Sequence, residues 1–254
     1  MIEKMTFSVL GNLEVLAGSR RVHIPKGNQR TLLASLVLDV NTDVPADILV
    51  EYLWGHRPLL QPRGALHTCV TRLRNTFESQ GGSLCGVLHT TSVGYRLEAD
   101  PSDVDFLRFR GLLAEADAAA GRGDTAAESG WLSQALALWR GPALRDVRSD
   151  LLHRDMVPRL TEEWGYALER RFEVEISRGR HGEVIGELRA LAYQHRFREG
   201  FWRLLMTALC RCGRQAEALE AYRQISAWLG DELGICPSHE LQNLHLTILR
   251  NDTV

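Results

Sequence analysis

No apolar run in this 254-residue chain approaches the ~20 residues needed to cross a bilayer, so no membrane-spanning helix is expected. The opening stretch, MIEKMTFSVLGNLEV, lacks the uninterrupted apolar core and small-residue cleavage site of a secretory signal, which places the expected location in the cytoplasm. Cysteine is scarce. The five present (Cys69, Cys85, Cys210, Cys212, Cys236) are odd in number and scattered, as in a reducing compartment rather than a disulfide framework. Cys210 and Cys212 stand two apart in a predicted helix and so point to different sides, which argues against a shared metal. The phosphate-cradling GxxxxGK[ST] is missing, as are GxSxG and HExxH. His153, His181 and His195 are isolated from one another in sequence and read as structural or solvated. No enzymatic activity and no cofactor are therefore expected.

Charge of one sign is also lacking: the net charge is −2. Its distribution is uneven. Residues 1–98 hold 10 basic and 8 acidic side chains, and residues 99–254 hold 20 and 24, so the first part is mildly basic and the second acidic. The length suits two ordinary domains, and apolar and charged shares of 44% and 24% are those of a globular protein.

What is present is most informative between Pro62 and Leu97. In PRGALHTCVTRLRNTFES, Leu66, Val70, Leu73 and Phe77 recur at helical period and form one apolar stripe. The opposite face carries Thr68, Thr71, Arg72 and Asn75 and no carboxylate, with His67 and Arg74 at its flanks. Gly81-Gly82 then signals a turn, and VLHTTSVGYRLEA reads as a hairpin broken at Val93-Gly94. Arg, Asn and Thr on an exposed helix face can reach base edges in a major groove, and a hairpin alongside can touch flanking backbone. The alternative is a merely solvated face.

Upstream, residues 6–24 read as short strands punctuated by Gly11 and Gly18. A helix is expected over Lys26–Val40, cored by Leu32, Leu33, Leu36 and Val37. A second is expected over Pro45–Trp54, burying Ile48, Leu49, Leu53 and Trp54. Lys26 and Arg30, in the first turns of their helix, oppose its dipole, a mismatch that a phosphate would relieve. Strands, three helices with the third basic, and a hairpin make a winged helix-turn-helix, an α+β domain expected to span residues 1–99.

Past Asp100-Pro101 strand signals fade. Helices are expected over 103–121, 124–139, 151–179, 181–195, 198–212, 215–233 and 238–250, an all-α domain covering 100–254. With Ala218 at the first small position of a tetratricopeptide repeat, Trp202, Leu205 and Tyr222 fall at repeat positions and Gly213 at the turn. Ile225 departs from the pattern, so the reading is of degenerate tetratricopeptide-like repeats; a generic bundle is the alternative. Trp131, Trp139, Trp164 and Trp228 are then core residues.

FSVLGNLEVLAG, RTLLASLVL, LVEYLWGHRP, ALHTCVTRLRNTF and VGYRLEA, followed by ALALWRGPAL, RLTEEWGYALERRFEVEISRGRHGEVIGEL, HRFREGFWRLLMTALCRCGRQAEALEAYR and DELGICPSHELQNLHLTIL, run in collinear order. On these segments the chain resembles the Streptomyces antibiotic regulatory proteins in their small, stand-alone form. The resemblance implies a response-regulator-type winged helix joined to a bacterial transcriptional activation domain. It also implies direct repeats in double-stranded promoter DNA and contact with RNA polymerase holoenzyme through its sigma factor and α C-terminal domain. The function so implied is activation of an antibiotic or other secondary-metabolite gene cluster, by a nucleoid-associated protein that meets a second copy of itself on DNA. Control by phosphorylation of a receiver domain is not expected, and His67 and Cys69 stand where the family commonly has Gln and Tyr.

Arg72 is expected to read a guanine through N7 and O6. Thr68, Thr71 and Asn75 are expected to touch base edges or phosphates; Arg74, Lys26, Arg30 and Arg63 to hold phosphates; Thr90, Thr91 and Tyr95 to belong to the wing, with Tyr95 equally readable as a core aromatic. Two rival readings remain at this point: a tetratricopeptide-like protein-interaction adaptor and a ligand-sensing regulator.

Overall fold

A computed structural model describes residues 4–250, apart from 56, 58, 81–83 and 85. The Gly81-Gly82 turn and Cys85 lie outside the described residues. The chain forms two compact units. One comprises residues 1–115 with 133–165, the other 116–132 with 166–254.

The first unit opens with an antiparallel sheet of β1 (Met5–Ser8), β2 (Glu14–Ala17) and β3 (Arg20–Val22). Alternation along β1 buries Met5 and Phe7, and Val15 and Ala17 of β2 are buried as well. Helix α1 (Asn28–Leu38) follows, shorter than expected, so Lys26 and Gly27 precede it. Every residue from Arg30 to Leu38 is buried, which makes α1 the central helix of the unit. Asn41 adopts a positive φ of 65° and closes the next loop by exchanging side-chain hydrogen bonds with the Ala99 backbone.

Strand β4 (Val44–Pro45) leads directly into α2 (Ala46–Trp54). Leu49 and Leu53 are buried as expected, but Ile48 is 39% exposed and Trp54 only half-buried. Helix α3 (Pro62–Ser79) begins with proline at its first position, where no intrahelical N–H bond is lost. Leu66, Val70, Leu73 and Phe77 are fully buried against the unit core, as their spacing requires. The wing strands β5 (Leu88–Thr90) and β6 (Gly94–Leu97) join β4 in a second antiparallel sheet, order β4-β6-β5. Val44 and Thr90 flank Tyr95 in register. This is a winged helix-turn-helix.

Helices then take over: α4 (Asp105–Gly121), α5 (Thr125–Leu136), α6 (Asp150–Asp155), α7 (Val157–Ser177), α8 (His181–Gln194), α9 (Glu199–Arg211), α10 (Gln215–Trp228) and α11 (His239–Leu249). The expected helix over 151–179 is broken at Met156, because Pro158 belongs in a first turn rather than a helix interior. The one expected over 124–139 ends at Leu136. The one over 215–233 passes at Leu229–Leu233 into a single π turn, closed by Gly234 at φ 67°.

In the second unit, α8 packs on α9, α9 on α10 and α10 on α11, as in stacked tetratricopeptide-like hairpins. Trp202, Leu205 and Ala218 are buried at the repeat positions. Trp202 meets Tyr193 and Trp228 at ring separations of 5.6 and 5.5 Å, and Tyr222 stacks on His245 at 3.8 Å. In the first unit, Trp139 sits between Phe109 and Trp164.

Candidate nucleic-acid interface

Burying one stripe of α3 leaves Arg63, His67, Thr68, Thr71, Arg72 and Asn75 exposed on its other side. The hydroxyls of Thr68 and Thr71 donate back to the carbonyls of Gly64 (2.9 Å) and His67 (3.0 Å). Their protons are thereby spent within the helix, and the outward parts of both side chains are an oxygen lone pair and a methyl group. Such groups accept from an adenine or cytosine amino group or pack on a thymine methyl. Arg72 has no hydrogen-bond or ion-pair partner among the described residues, so its guanidinium is available to an outside acceptor. Its charge opposes the burial that pushes the neighbouring Cys69 thiol up to about 11.

Beside this face lies a depression of about 470 Å³ lined by Lys26, Asn28, Gln29, Trp54, Thr68 and Arg72, among others. The amino end of α1 opens onto it. Gly27 precedes that end with φ 99°, no side chain caps it, and its first turn holds no acidic residue. Uncapped backbone N–H groups and the dipole make this end positive, and Lys26 and Arg72 add formal charge. Asn28 and Gln29 were not singled out by sequence, and Trp54 was read only as a core residue. The available signal was the Lys-Gly pair, which leaves the helix start without a carboxylate.

The other expected residues divide. Arg63 is exposed and pairs loosely with Asp47 of α2 at 3.7 Å. Thr90 is exposed on the wing, and the Thr91 hydroxyl accepts from Gly94 N–H across the wing turn. Val93, at the tip, is 52% exposed and is the apolar wing residue that sequence reading passed over.

Two expectations, for Arg30 and Arg74, need correction, and of the two readings left open for Tyr95 the core one holds. Arg30 is only 8% exposed. Its guanidinium donates to the carbonyls of Ile24 (2.9 Å) and Leu13 (2.5 Å) and pairs with Asp146, so it is a core ion and holds no phosphate. Arg74 donates to the Leu88 carbonyl (2.8 Å) and to Thr90 Oγ (3.4 Å), which ties the wing to α3 instead of leaving the charge free. Tyr95 is buried, and that burial pushes its phenol above the usual range against the opposing Arg74 charge; it is a core aromatic.

Comparison with known proteins agrees with this architecture. Residues 104–249 match the family model of the bacterial transcriptional activator domain. The chain is 35% identical to the regulatory protein DnrI of Streptomyces peucetius over 98% of its own length and 93% of that protein. It is equally similar to the transcriptional regulatory protein EmbR of Mycobacterium tuberculosis, covering 64% of it, and to the regulatory protein AfsR of Streptomyces coelicolor, covering 24%. It therefore spans nearly all of DnrI but about two thirds and one quarter of the longer relatives. The solved structure of Mycobacterium tuberculosis EmbR in complex with a low-affinity phosphopeptide superposes with a TM-score of 0.91 at 34% identity, over 99% of this chain and 66% of that one.

A winged helix joined to an activator domain, with relatives that are transcriptional regulators, defines a transcriptional regulator. The chain belongs to the Streptomyces antibiotic regulatory protein family.

Proposed function

We propose that this regulator binds promoter DNA sequence-specifically through α3 and the wing, and activates genes of a secondary-metabolite cluster by recruiting RNA polymerase holoenzyme. The observation that carries the reading is the outward side of α3. Arg72, Thr68, Thr71 and Asn75 lie exposed along it, next to a depression lined by two cations, Lys26 and Arg72, whose side chains have no partner among the described residues, and by a positive helix end. Arg72 reads a guanine; the two threonines and Asn75 contact neighbouring bases; Lys26 and the start of α1 seat a phosphate; Arg63 and Thr90 touch the flanking backbone. Family membership supports the antibiotic-cluster assignment and contact with the sigma factor and the polymerase α C-terminal domain.

One copy offers few cations to phosphates, so a single domain binds weakly at cellular salt. Two copies on direct repeats about one helical turn apart lie on one DNA face and bind cooperatively. Selection from a random duplex library, followed by footprinting and transcription with purified holoenzyme, tests the proposal. Recovered direct repeats and repeat-dependent transcription are expected. Recovery of no sequence, or of sequences bound no tighter than scrambled DNA, overturns it.

A further inference from the structure

The loop between β1 and β2 is gripped by groups that lie inside the span matched by the activator domain. Between α5 and α6 the chain runs as a strap over residues 139–149. Arg140 N–H donates to the Leu10 carbonyl (2.8 Å) and Leu144 N–H to the Val9 carbonyl (3.0 Å). Asp146 accepts from Leu13 N–H (2.9 Å) and pairs with buried Arg30. Arg140 reaches Glu14 at 2.7 Å, and a Cβ on Gly11 would stand 3.1 Å from Arg140 Cβ, so strap and loop are in close contact. From below, the Asp105 carboxylate accepts from the N–H groups of Val9 (2.8 Å) and Leu10 (3.0 Å).

The strap is itself unusual. Leu144 is fully buried with φ at +53°, a conformation that a bulky side chain adopts only where its surroundings impose it. Two residues near the C-terminal end of the strap, Asp146 and Ser149, bond to groups adjoining the depression beside α3. Arg30, held by Asp146, sits next to Gln29 in α1, and the Gln29 side-chain oxygen lies 2.8 Å from the Thr76 hydroxyl of α3, one turn beyond Arg72, a hydroxyl whose one proton is shared between Gln29 and the Arg72 carbonyl at 2.9 Å. Ser149 donates to the Tyr52 carbonyl at 2.7 Å, near the end of α2 where Trp54 lines the depression.

Resting on the DNA-binding reading above, we propose that Asp146 and Ser149 are positioning residues for DNA recognition. They act through Arg30–Gln29–Thr76 and through α2, so the register of α3 against base edges is set by a strap belonging to the activator segment. Loss of the strap's grip lets α3 shift relative to its base pairs. It removes no phosphate contact. Specific binding therefore falls, while non-specific binding and its salt dependence stay as they are.

The test uses full-length Asp146→Asn, Ser149→Ala and Thr76→Val. Each is titrated at several salt concentrations against a duplex selected by the wild-type protein and against its scrambled counterpart. Asp146→Asn is expected to lower the specific-to-scrambled affinity ratio about tenfold, and the other two by smaller factors, with the scrambled affinity and both salt slopes at wild-type values. Equal loss of affinity on both duplexes by folded protein, or an unchanged ratio, means the strap is a mere staple and overturns the proposal. If Asp146→Asn does not fold, Ser149→Ala and Thr76→Val decide by the same ratio. Failure of the wild-type protein to select any duplex removes the DNA reading itself, and this inference with it.

Discussion

Replacing Arg72 and Arg74 separately by alanine contrasts two arginines two residues apart on one helix with different surroundings. Arg72 is exposed and has no partner among the described residues. Its removal therefore costs folding no more than about 0.5 kcal/mol, the range of ordinary surface substitutions, and alanine is at least as good a helix former. Binding is another matter. Losing a bidentate guanine contact costs about 1–3 kcal/mol, roughly a 5- to 150-fold rise in Kd, confined to operators carrying that guanine. Arg74 is half-buried and donates to the Leu88 carbonyl at 2.8 Å. A hydrogen bond from a charged donor contributes about 1.5–3 kcal/mol, and partial exposure places this one at the lower end. In a chain of this size each kcal/mol lowers Tm by about 2–4 °C. Arg74→Ala is thus expected to lower Tm by several degrees and weaken binding through a loosened wing, with the salt slope unchanged because no phosphate contact is lost. Anisotropy titrations on the selected duplex and its single-base variants, run alongside thermal melts, measure both. The reasoning is refuted if Arg72→Ala weakens binding equally on every duplex, or if Arg74→Ala melts like wild type and flattens the salt dependence.

A methyl group on Gly94 would lie 2.1 Å from the Val44 carbonyl oxygen and 2.7 Å from Ala46 N, both backbone atoms; Gly94→Ala is expected to break the β4–β6 pairing and destabilise the fold severely, and a wild-type urea midpoint contradicts this. Burial and the Arg198 charge hold His195 below the ordinary imidazole value of 6.5, and burial does the same to His245. Below about that value the unfolded chain binds more protons than the folded one, so these two groups make stability fall as the pH drops from 7 toward 5.5. The double variant His195→Gln/His245→Gln should show a shallower fall, and an unchanged slope in urea melts counts against it. On a duplex with both half-sites the dependence of log K on log salt should be about twice as steep as on one half-site, since each phosphate contact contributes a slope of about −0.9; equal slopes rule out paired occupancy.

Much of the winged helix was legible because its information is local. The α3 stripe is one-sided, so periodicity alone separated Leu66, Val70, Leu73 and Phe77 from Thr68, Thr71, Arg72 and Asn75, and the structure keeps that division. Arg30 was not legible. An arginine near a helix start looks the same whether it faces a phosphate or a buried carboxylate, and here the carboxylate, Asp146, is 116 residues away. Arg74 and Tyr95 illustrate the same limit at shorter range. They sit where α3 meets the wing, and which of two adjacent faces covers them depends on the angle between those elements. The break at Met156 did carry a local signal, Pro158, which the helical period around it masked. Ile48 is apolar and in phase with Leu49 and Leu53 only loosely, and packing of α2 resolves that by leaving it in solvent.

The small net charge of residues 1–98 hides where those cations are placed. Lys4, Arg21, Arg30 and Arg96 each face a carboxylate within the protein: Asp103, Glu14, Asp146 and Asp43 respectively. Such pairs contribute little field at a distance, since each cation is matched within one bond length of a salt bridge. Lys26 and Arg72 have no such partner among the described residues, and they line the same depression as the uncapped start of α1. The sum of charges therefore understates the local potential, which is positive where the outward side of α3 begins. A domain organised this way gains little from long-range attraction to any polyanion and depends on fitting one. On the proposed DNA-binding reading, the seating of α3 then matters more than it would for a strongly basic domain, and the strap at 139–149, which holds Arg30 and the end of α2, is placed to influence discrimination between sequences.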